Sequence, residues 1–216
     1  MQLISVNLGQ KRTLQIGSKV ETTGIYKLPT NEAVEISSLG IKNDFIASKK
    51  HHGGPDQAVY VYGTKDYEWW SQQLERELTP GVFGENLTIS ELESAQFNIG
   101  DRLHVGAVIL EVTAPRIPCR TFAARMGDPQ FVKRFRDAER PGLYCRIIQE
   151  GIVKAGDDVR LEKRNVKETI SVLQVFRDYY NKNKSGETIR KHLNAPIAIR
   201  VRVQLEEELR RLFERQ

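Results

Sequence analysis

The side chain best suited to chemistry in this sequence is Cys119, in the stretch APRIPCRTFAARM at residues 114–126. It follows a proline and lies between Arg116 and Arg120. If the segment after it is helical, the thiol lies near the helix N-cap, where unpaired backbone N–H groups and the positive end of the helix dipole favour a thiolate. The two arginines favour the same charged form. These features are typical of a nucleophile or a metal ligand.

Two simpler interpretations of Cys119 compete with this one. A free cysteine is often just a small buried apolar residue, and the other cysteine, Cys145, is a potential disulfide partner. Cys145 lies in GLYCRII, an apolar run typical of a strand, where an inert buried thiol is expected. The N-terminal stretch MQLISVNLGQKR has no basic leader before an apolar core, so we expect a cytosolic protein, in which structural disulfides are rare.

A second concentration of polar residues is KKHHGGPDQA at residues 49–58. A glycine pair lets the backbone approach a ligand closely, and basic side chains beside it suit an anion, above all phosphate. The candidates for such binding are Lys49, His51, His52, Gly53 and Gly54. An exposed turn is an equally simple interpretation of the same residues.

Two other chemistries fit this histidine segment less directly. Adjacent histidines in an extended segment point in opposite directions, and no His-x-x-x-His or Cys-x-x-Cys pattern accompanies them, which argues against a zinc site. A cysteine hydrolase in which His51 or His52 serves as the base for Cys119 stays open, because sequence spacing neither supplies nor excludes that geometry.

A third polar element lies in PGVFGENLTISEL at residues 80–92. Glu85 and Asn86 fall between a Gly-x-x-Gly turn and a strand through Leu87 and Ile89. Polar side chains at such a junction either cap the turn or line a site. The stretch alone does not distinguish these two roles.

The elements that position these residues are mostly short strands. Of the 216 residues, 39% are hydrophobic and 28% charged, a balance typical of globular proteins. No apolar run approaches the roughly 20 residues of a membrane-spanning helix, so we expect no membrane association. Runs such as QLISVNLG, QAVYVYG and AVILEVTAP alternate with glycine turns, a pattern that predicts a mainly β fold, a β-barrel with small peripheral helices.

The sequence changes character near residue 163, where three segments with helical apolar spacing begin. We therefore predict a barrel domain at 1–163 and a three-helix domain at 164–216. Residues 162–216 hold 13 of the 33 Lys and Arg residues but only 8 of the 28 Asp and Glu residues, which leaves 20 of each in the rest. The net charge of +5 therefore belongs to the helical segment.

This basic excess raises the question of a nucleic-acid partner. Glu206, Glu207 and Glu208 interrupt the basic residues, and no interleaving of aromatic and basic side chains suggests a binding face. A solvated helical surface accounts better for the charge. The apolar stripes of these helices permit packing against the barrel or against a second copy in a homodimer.

Taken together, the stretches HHGGPDQAVYVY, FGENLT, IGDRLHVG and TAPRIPCRTFAARM occur in the order found in MOSC domains, the molybdenum cofactor sulfurase C-terminal family, which the chain resembles over essentially its whole length. The helical tail is similar to that of the stand-alone bacterial group of the family, the YiiM-like group. The resemblance implies a β-barrel that binds molybdenum cofactor of the molybdopterin type, with Cys119 as the catalytic residue and protein ligand to molybdenum. It implies that residues from all three stretches bind the cofactor, with the basic residues and glycines at its phosphate and Glu85 and Asn86 lining the same pocket: Arg116, Arg120, His51, His52, Gly53, Gly54, Lys49, Glu85 and Asn86.

The activity implied by the resemblance is the reduction of N-hydroxylated compounds, such as hydroxylaminopurines and amidoximes, as a cytoplasmic detoxification reaction. Two separated cysteines cannot build a four-thiolate iron–sulfur cluster, and no flavin site is apparent. A separate electron-donating reductase of flavin or iron–sulfur type is therefore expected as a partner. A carrier that holds molybdenum cofactor or sulfur without turnover is the alternative.

Overall fold

The computed structural model describes residues 1–47 and 53–214. The strands in these residues are β1 (Leu3–Gly9), β2 (Arg12–Ile16), β3 (Lys19–Thr23), β4 (Lys27–Thr30), β5 (Val34–Ser37), β6 (Gly40–Ile41), β7 (Val59–Gly63), β8 (Leu87–Ile89), β9 (Arg102–Val105), β10 (Val108–Ala114), β11 (Leu143–Gln149), β12 (Gly151–Val153) and β13 (Val159–Glu162). The helices are α1 (Thr64–Leu74), α2 (Arg120–Met126), α3 (Phe131–Ala138), α4 (Val172–Tyr180), α5 (Gly186–Leu193) and α6 (Ile199–Phe213).

The main sheet has eight strands in the order β13-β9-β10-β11-β7-β8-β1-β4. Its central strands carry continuous apolar runs, and all five residues of β7 are buried. Backbone hydrogen bonds also join β1 to the segment at the other end of the sheet, from Leu3 N to Asp157 O at 2.9 Å and from Val159 N to Met1 O at 2.9 Å. These bonds bring the first and last strands together, so the sheet curls into a barrel around its apolar interior.

Two smaller sheets accompany the barrel. One has the order β12-β5-β6, and the other is the hairpin of β2 and β3, most of whose residues are exposed. The small helices α2 and α3 are separated at Gly127, which takes a left-handed conformation at the end of α2. The predicted mainly β fold with small helices is confirmed.

The three C-terminal helices pack against the barrel. Ile170, Val175 and Leu205 belong to the same buried cluster as the barrel strands, and Ala198 N donates to Thr113 O at 3.2 Å on β10. The predicted boundary near residue 163 falls between the end of β13 and the start of α4, and the division into two domains stays a prediction. No helix of the described residues is long and apolar enough to span a membrane.

Candidate functional site

Cys119 is the N-cap residue of α2, with extended backbone angles of φ −131° and ψ 172°. Strand β10 ends at Ala114, and a short loop that contains Pro115 and Pro118 connects it to Cys119. The Cys119 side chain is half-buried. Cys119 and Cys145 are both free thiols, so the disulfide alternative is wrong. Cys145 is fully buried on β11, where burial raises the pKa of its thiol well above the ordinary value. Cys119 is therefore the accessible thiol of the pair.

Arg116 lies in the same loop and is buried. Its guanidinium lies over the rings of Phe122 and Tyr60, at 4.3 and 5.0 Å from their centroids, and donates to the carbonyl oxygen of Phe83. Burial disfavours the charged form, but the nearby ionisable groups of Tyr144, Tyr60 and Cys119 raise the pKa of Arg116 above its ordinary value. This arginine is a fixed positive charge next to the thiol, and its Nε has no hydrogen-bond partner.

Both residues line a cavity of about 780 Å³. The predicted site residues on its wall are Cys119, Arg116, Asn86 and Gly53. Gly53 has a φ of 94°, a left-handed conformation that glycine adopts without strain. The three sequence stretches thus converge on one cavity, although they lie up to 66 positions apart between Gly53 and Cys119.

The cavity also contains a buried ion pair that the sequence did not reveal. Lys27 Nζ lies 2.6 Å from both carboxylate oxygens of Asp44, and Asn86 Nδ2 donates to Asp44 Oδ2 at 3.0 Å. Burial lowers the pKa of Lys27, while Asp44 opposes that shift. One sequence feature could have pointed to Lys27: it is a lysine in the otherwise apolar stretch GIYKLP, at the start of β4. Asp44 had none, because its partners are distant in sequence.

Three other predicted residues do not reach the cavity wall. Arg120 is exposed on α2, and Gly54 is exposed with a φ of 86°. Glu85 is fully buried, and its Oε1 accepts from Tyr67 Oη at 2.5 Å, Gly81 N at 2.6 Å and Thr88 Oγ1 at 2.8 Å. These are the contacts of a residue that braces its turn, so the structure favours the capping alternative for Glu85.

Lys49, His51 and His52 lie outside the described residues. Their predicted role therefore stays a prediction, as does the pairing of a histidine with Cys119. Among residues 1–47 and 53–214 no cluster of three or more His, Cys, Asp or Glu side chains is arranged to hold a metal ion.

The C-terminal helices supply a further part of the cavity wall. Arg200, Val201 and Gln204 line it from α6, and Asp178 and His192 line it from α4 and α5. His192 Nε2 lies 2.8 Å from Asp178 Oδ2, and both residues are buried. Sequence reasoning missed these residues because the helical segment gave no local sign of facing the thiol.

Comparison with known proteins identifies the family. The model of the MOSC domain matches residues 48–160, which include the glycine loop, Asn86, Arg116 and Cys119. This chain belongs to the MOSC domain family. An uncharacterized protein of Bacillus subtilis, YflK, is 34% identical over 192 residues, which cover 89% of this chain and 86% of that protein.

Two other comparisons bear on the chain. A protein of Gibberella moniliformis named as a reductase is 32% identical over 187 residues, 85% of this chain but only 33% of that protein. The crystal structure of YiiM from Geobacillus stearothermophilus superposes with a TM-score of 0.77 at 25% identity, covering 96% of this chain and 98% of that one. The MOSC chain therefore shares its fold, helical segment included, with YiiM.

Proposed function

We propose that this MOSC protein is a molybdenum-cofactor-dependent reductase of N-hydroxylated compounds. The observation that carries the proposal is the position of Cys119: a half-exposed thiol at a helix N-cap, beside a buried arginine, on the wall of a cavity of about 780 Å³. A cofactor that combines a soft metal with an anionic phosphate needs a thiolate, cations and backbone donors.

The residues on the cavity wall fit that requirement. Cys119 would be the protein ligand to molybdenum, since thiolates are preferred by soft, sulfur-rich metal centres. Arg116 supplies a fixed cation whose Nε is unpartnered, and Gly53 leaves room for close backbone approach. Lys27 and Asn86 line the same wall. His51, His52 and Lys49 are proposed to bind the phosphate of the same cofactor.

The reaction consumes two electrons and two protons: R–NHOH + 2 e⁻ + 2 H⁺ gives R–NH₂ + H₂O. When bound, the cofactor supplies the two-electron redox chemistry. The residues of this chain bind and orient the N–O group within the cavity and shield it from bulk water. A separate flavin or iron–sulfur reductase would supply the electrons in the cytosol, because the chain has only two cysteines and they lie apart.

The relative named as a reductase supports an oxidoreductase over a carrier. That protein is about three times as long as its matched segment, so its activity is not transferred whole to this chain. A carrier of cofactor or sulfur would use the same thiol and the same cavity. Turnover of substrate is the property that separates the two functions.

The first test is the molybdenum content of protein purified from a host that makes the cofactor. We expect metal in the wild type, its loss in Cys119→Ser, and its retention in Cys145→Ala, which removes the buried thiol instead. Negligible metal in the wild type, or equal metal in both variants, would remove the basis for thiolate ligation.

The second test is turnover of an N-hydroxylated purine and an amidoxime with a chemical electron donor. Loaded wild-type protein is expected to release the corresponding amine or amidine, and Cys119→Ser is expected to be inactive. Bound molybdenum without turnover of either substrate would favour the carrier.

A further inference from the structure

Asp56 lies two positions after the glycine pair, in a single 3₁₀ turn at Pro55–Gln57. Its Oδ2 accepts a hydrogen bond at 2.6 Å from the backbone N–H of Ile199, the first residue of α6. Helix α6 lacks a cap of its own, because its N-cap residue is Ala198, which has no acceptor in its side chain. The cap of α6 therefore comes from a residue 143 positions earlier in the chain.

An ion pair and three further hydrogen bonds converge on the same junction. Asp56 Oδ1 lies 3.0 Å from Arg146 Nε on β11, and Arg146 Nη2 donates to the carbonyls of Pro196 and Ile197 at 3.0 and 3.2 Å. Thr113 Oγ1, on the strand that leads to Cys119, donates to the carbonyl of Asp56 at 2.5 Å. The glycine loop, the cysteine-bearing strand and the start of α6 are thus held at one point.

The cavity wall continues on both sides of this junction. Gly53 and Gln57 line it from the loop, and Arg200 and Gln204 line it from the first turns of α6. A guanidinium and a carboxamide bind hydrogen-bond acceptors, and the carboxamide also accepts. A displacement of the start of α6 would move both side chains relative to the thiol.

We propose that Asp56 is a positioning residue that docks α6, and that the first turns of α6 form the substrate-contacting part of the cavity wall. The wall fits substrates that carry ring nitrogen or oxygen acceptors beside the N-hydroxyl group. The substrate side of this inference rests on the proposed function, but the docking of α6 by Asp56 does not.

The test compares Asp56→Ala with Ser185→Ala. Ser185 Oγ accepts from Thr188 N at 3.1 Å and caps α5 from the N-cap position of that helix, and neither Ser185 nor Thr188 lines the cavity. Loss of a helix cap of ordinary strength is equivalent to roughly a tenfold change in an equilibrium constant. We expect Asp56→Ala to raise KM by about tenfold while kcat and molybdenum content stay within about twofold. Ser185→Ala is expected to leave KM unchanged, and Asp56→Asn, which keeps an acceptor for Ile199 but loses the charge, to give an intermediate KM.

Hydrogen exchange provides a readout that needs no activity. The amides of residues 197–205 are expected to exchange faster in Asp56→Ala than in the wild type, and at the wild-type rate in Ser185→Ala. Unchanged exchange in Asp56→Ala would overturn the docking role, whatever the activity. Faster exchange with an unchanged KM would overturn the substrate-contacting wall. A wild-type protein that reduces no N-hydroxylated compound would instead refute the proposed function and leave the exchange result to judge Asp56.

Discussion

At the scale of single residues, Glu85 and Cys119 illustrate two opposite uses of a polar side chain. Cys119 lines the cavity. Glu85 is fully buried; its Oε1 accepts three hydrogen bonds, and its Oε2 has no hydrogen-bond partner. Burial raises the pKa of Glu85 above the ordinary 4.5, and the bonds from Tyr67 and Gly81 only partly oppose it. The residue therefore braces the turn at a pH-dependent cost.

The free energy of unfolding is therefore expected to depend on pH through Glu85. Between the ordinary pKa of 4.5 and the raised pKa of Glu85, the folded state holds one more proton than the unfolded chain, so the contribution of Glu85 to the free energy of unfolding falls as pH rises. The Glu85→Gln variant keeps the acceptor and does not titrate. Its stability relative to the wild type should increase as pH rises through that window, as measured by urea unfolding at several pH values.

A constant difference between Glu85→Gln and the wild type from acid to neutral pH would contradict the raised pKa. Glu85→Ala serves as the control for the brace itself. It leaves the donors of Tyr67, Gly81 and Thr88 without their acceptor and is expected to be less stable than Glu85→Gln at every pH.

At the residue scale, the predicted site residues that reach the cavity wall come from stretches with a local sequence signal. Cys119 and Arg116 are recognisable because proline and positive charge lie within a few positions of the thiol, and the glycine loop is recognisable because its two glycines directly follow basic residues. Lys27, Asp44 and Asp56 act through partners that are 17, 42 and 143 positions away. Their roles depend on tertiary contacts, which a single sequence does not encode in any short pattern.

At the scale of elements, the turn before β8 is set by Gly81. Its φ is 88°, and a Cβ at this position would lie 2.4 Å from the carbonyl oxygen of Lys27. Both facts demand glycine. In this turn Gly81 N donates a hydrogen bond to Glu85 Oε1, and the residue after Glu85, Asn86, lies on the cavity wall.

We expect Gly81→Ala to destabilise the protein by more than the roughly 1 kcal/mol that a left-handed alanine costs, because the Cβ also meets a backbone oxygen that cannot move away easily. Gly17→Ala is the matched control, since Gly17 has a φ of 61° but no atom within 4 Å of its Cβ position. Equal losses in the midpoint of thermal unfolding would show that the close contact has no effect.

The elements themselves were largely predictable because their patterns are local. Apolar runs and glycine turns identified the barrel strands, and apolar spacing identified the C-terminal helices. The closure of the barrel depends on bonds between residues 1–3 and 156–159, and the cap of α6 depends on Asp56. Neither follows from pattern, because each joins segments that are more than 140 positions apart.

At the scale of the whole molecule, the barrel and the helices share one interior. Buried side chains of the helical segment, among them Ile170, Val172 and Leu205, pack with those of the barrel. Phe176 of α4 extends the aromatic cluster around Phe135 at a centroid distance of 6.5 Å. The two predicted domains are therefore coupled through apolar contacts as well as through Asp56.

This shared interior predicts how the chain unfolds. Each large apolar side chain that loses its cover costs about 1.5–3 kcal/mol, and the stability of a whole protein is only about 5–15 kcal/mol. Removal of residues 164–216 exposes several such side chains together with part of the cavity. We expect residues 1–163 alone to show no cooperative thermal transition, and the full chain to unfold in one step.

Two spectroscopic probes test this expectation. Tryptophan fluorescence follows Trp69 and Trp70 on α1 of the barrel segment, and far-ultraviolet circular dichroism is weighted toward the helices. Coincident transitions by the two probes would confirm one cooperative unit. A folded 1–163 fragment with its own sharp transition would contradict this expectation. It would show that the barrel is stable without its helices and that the helical wall of the cavity is not needed for folding.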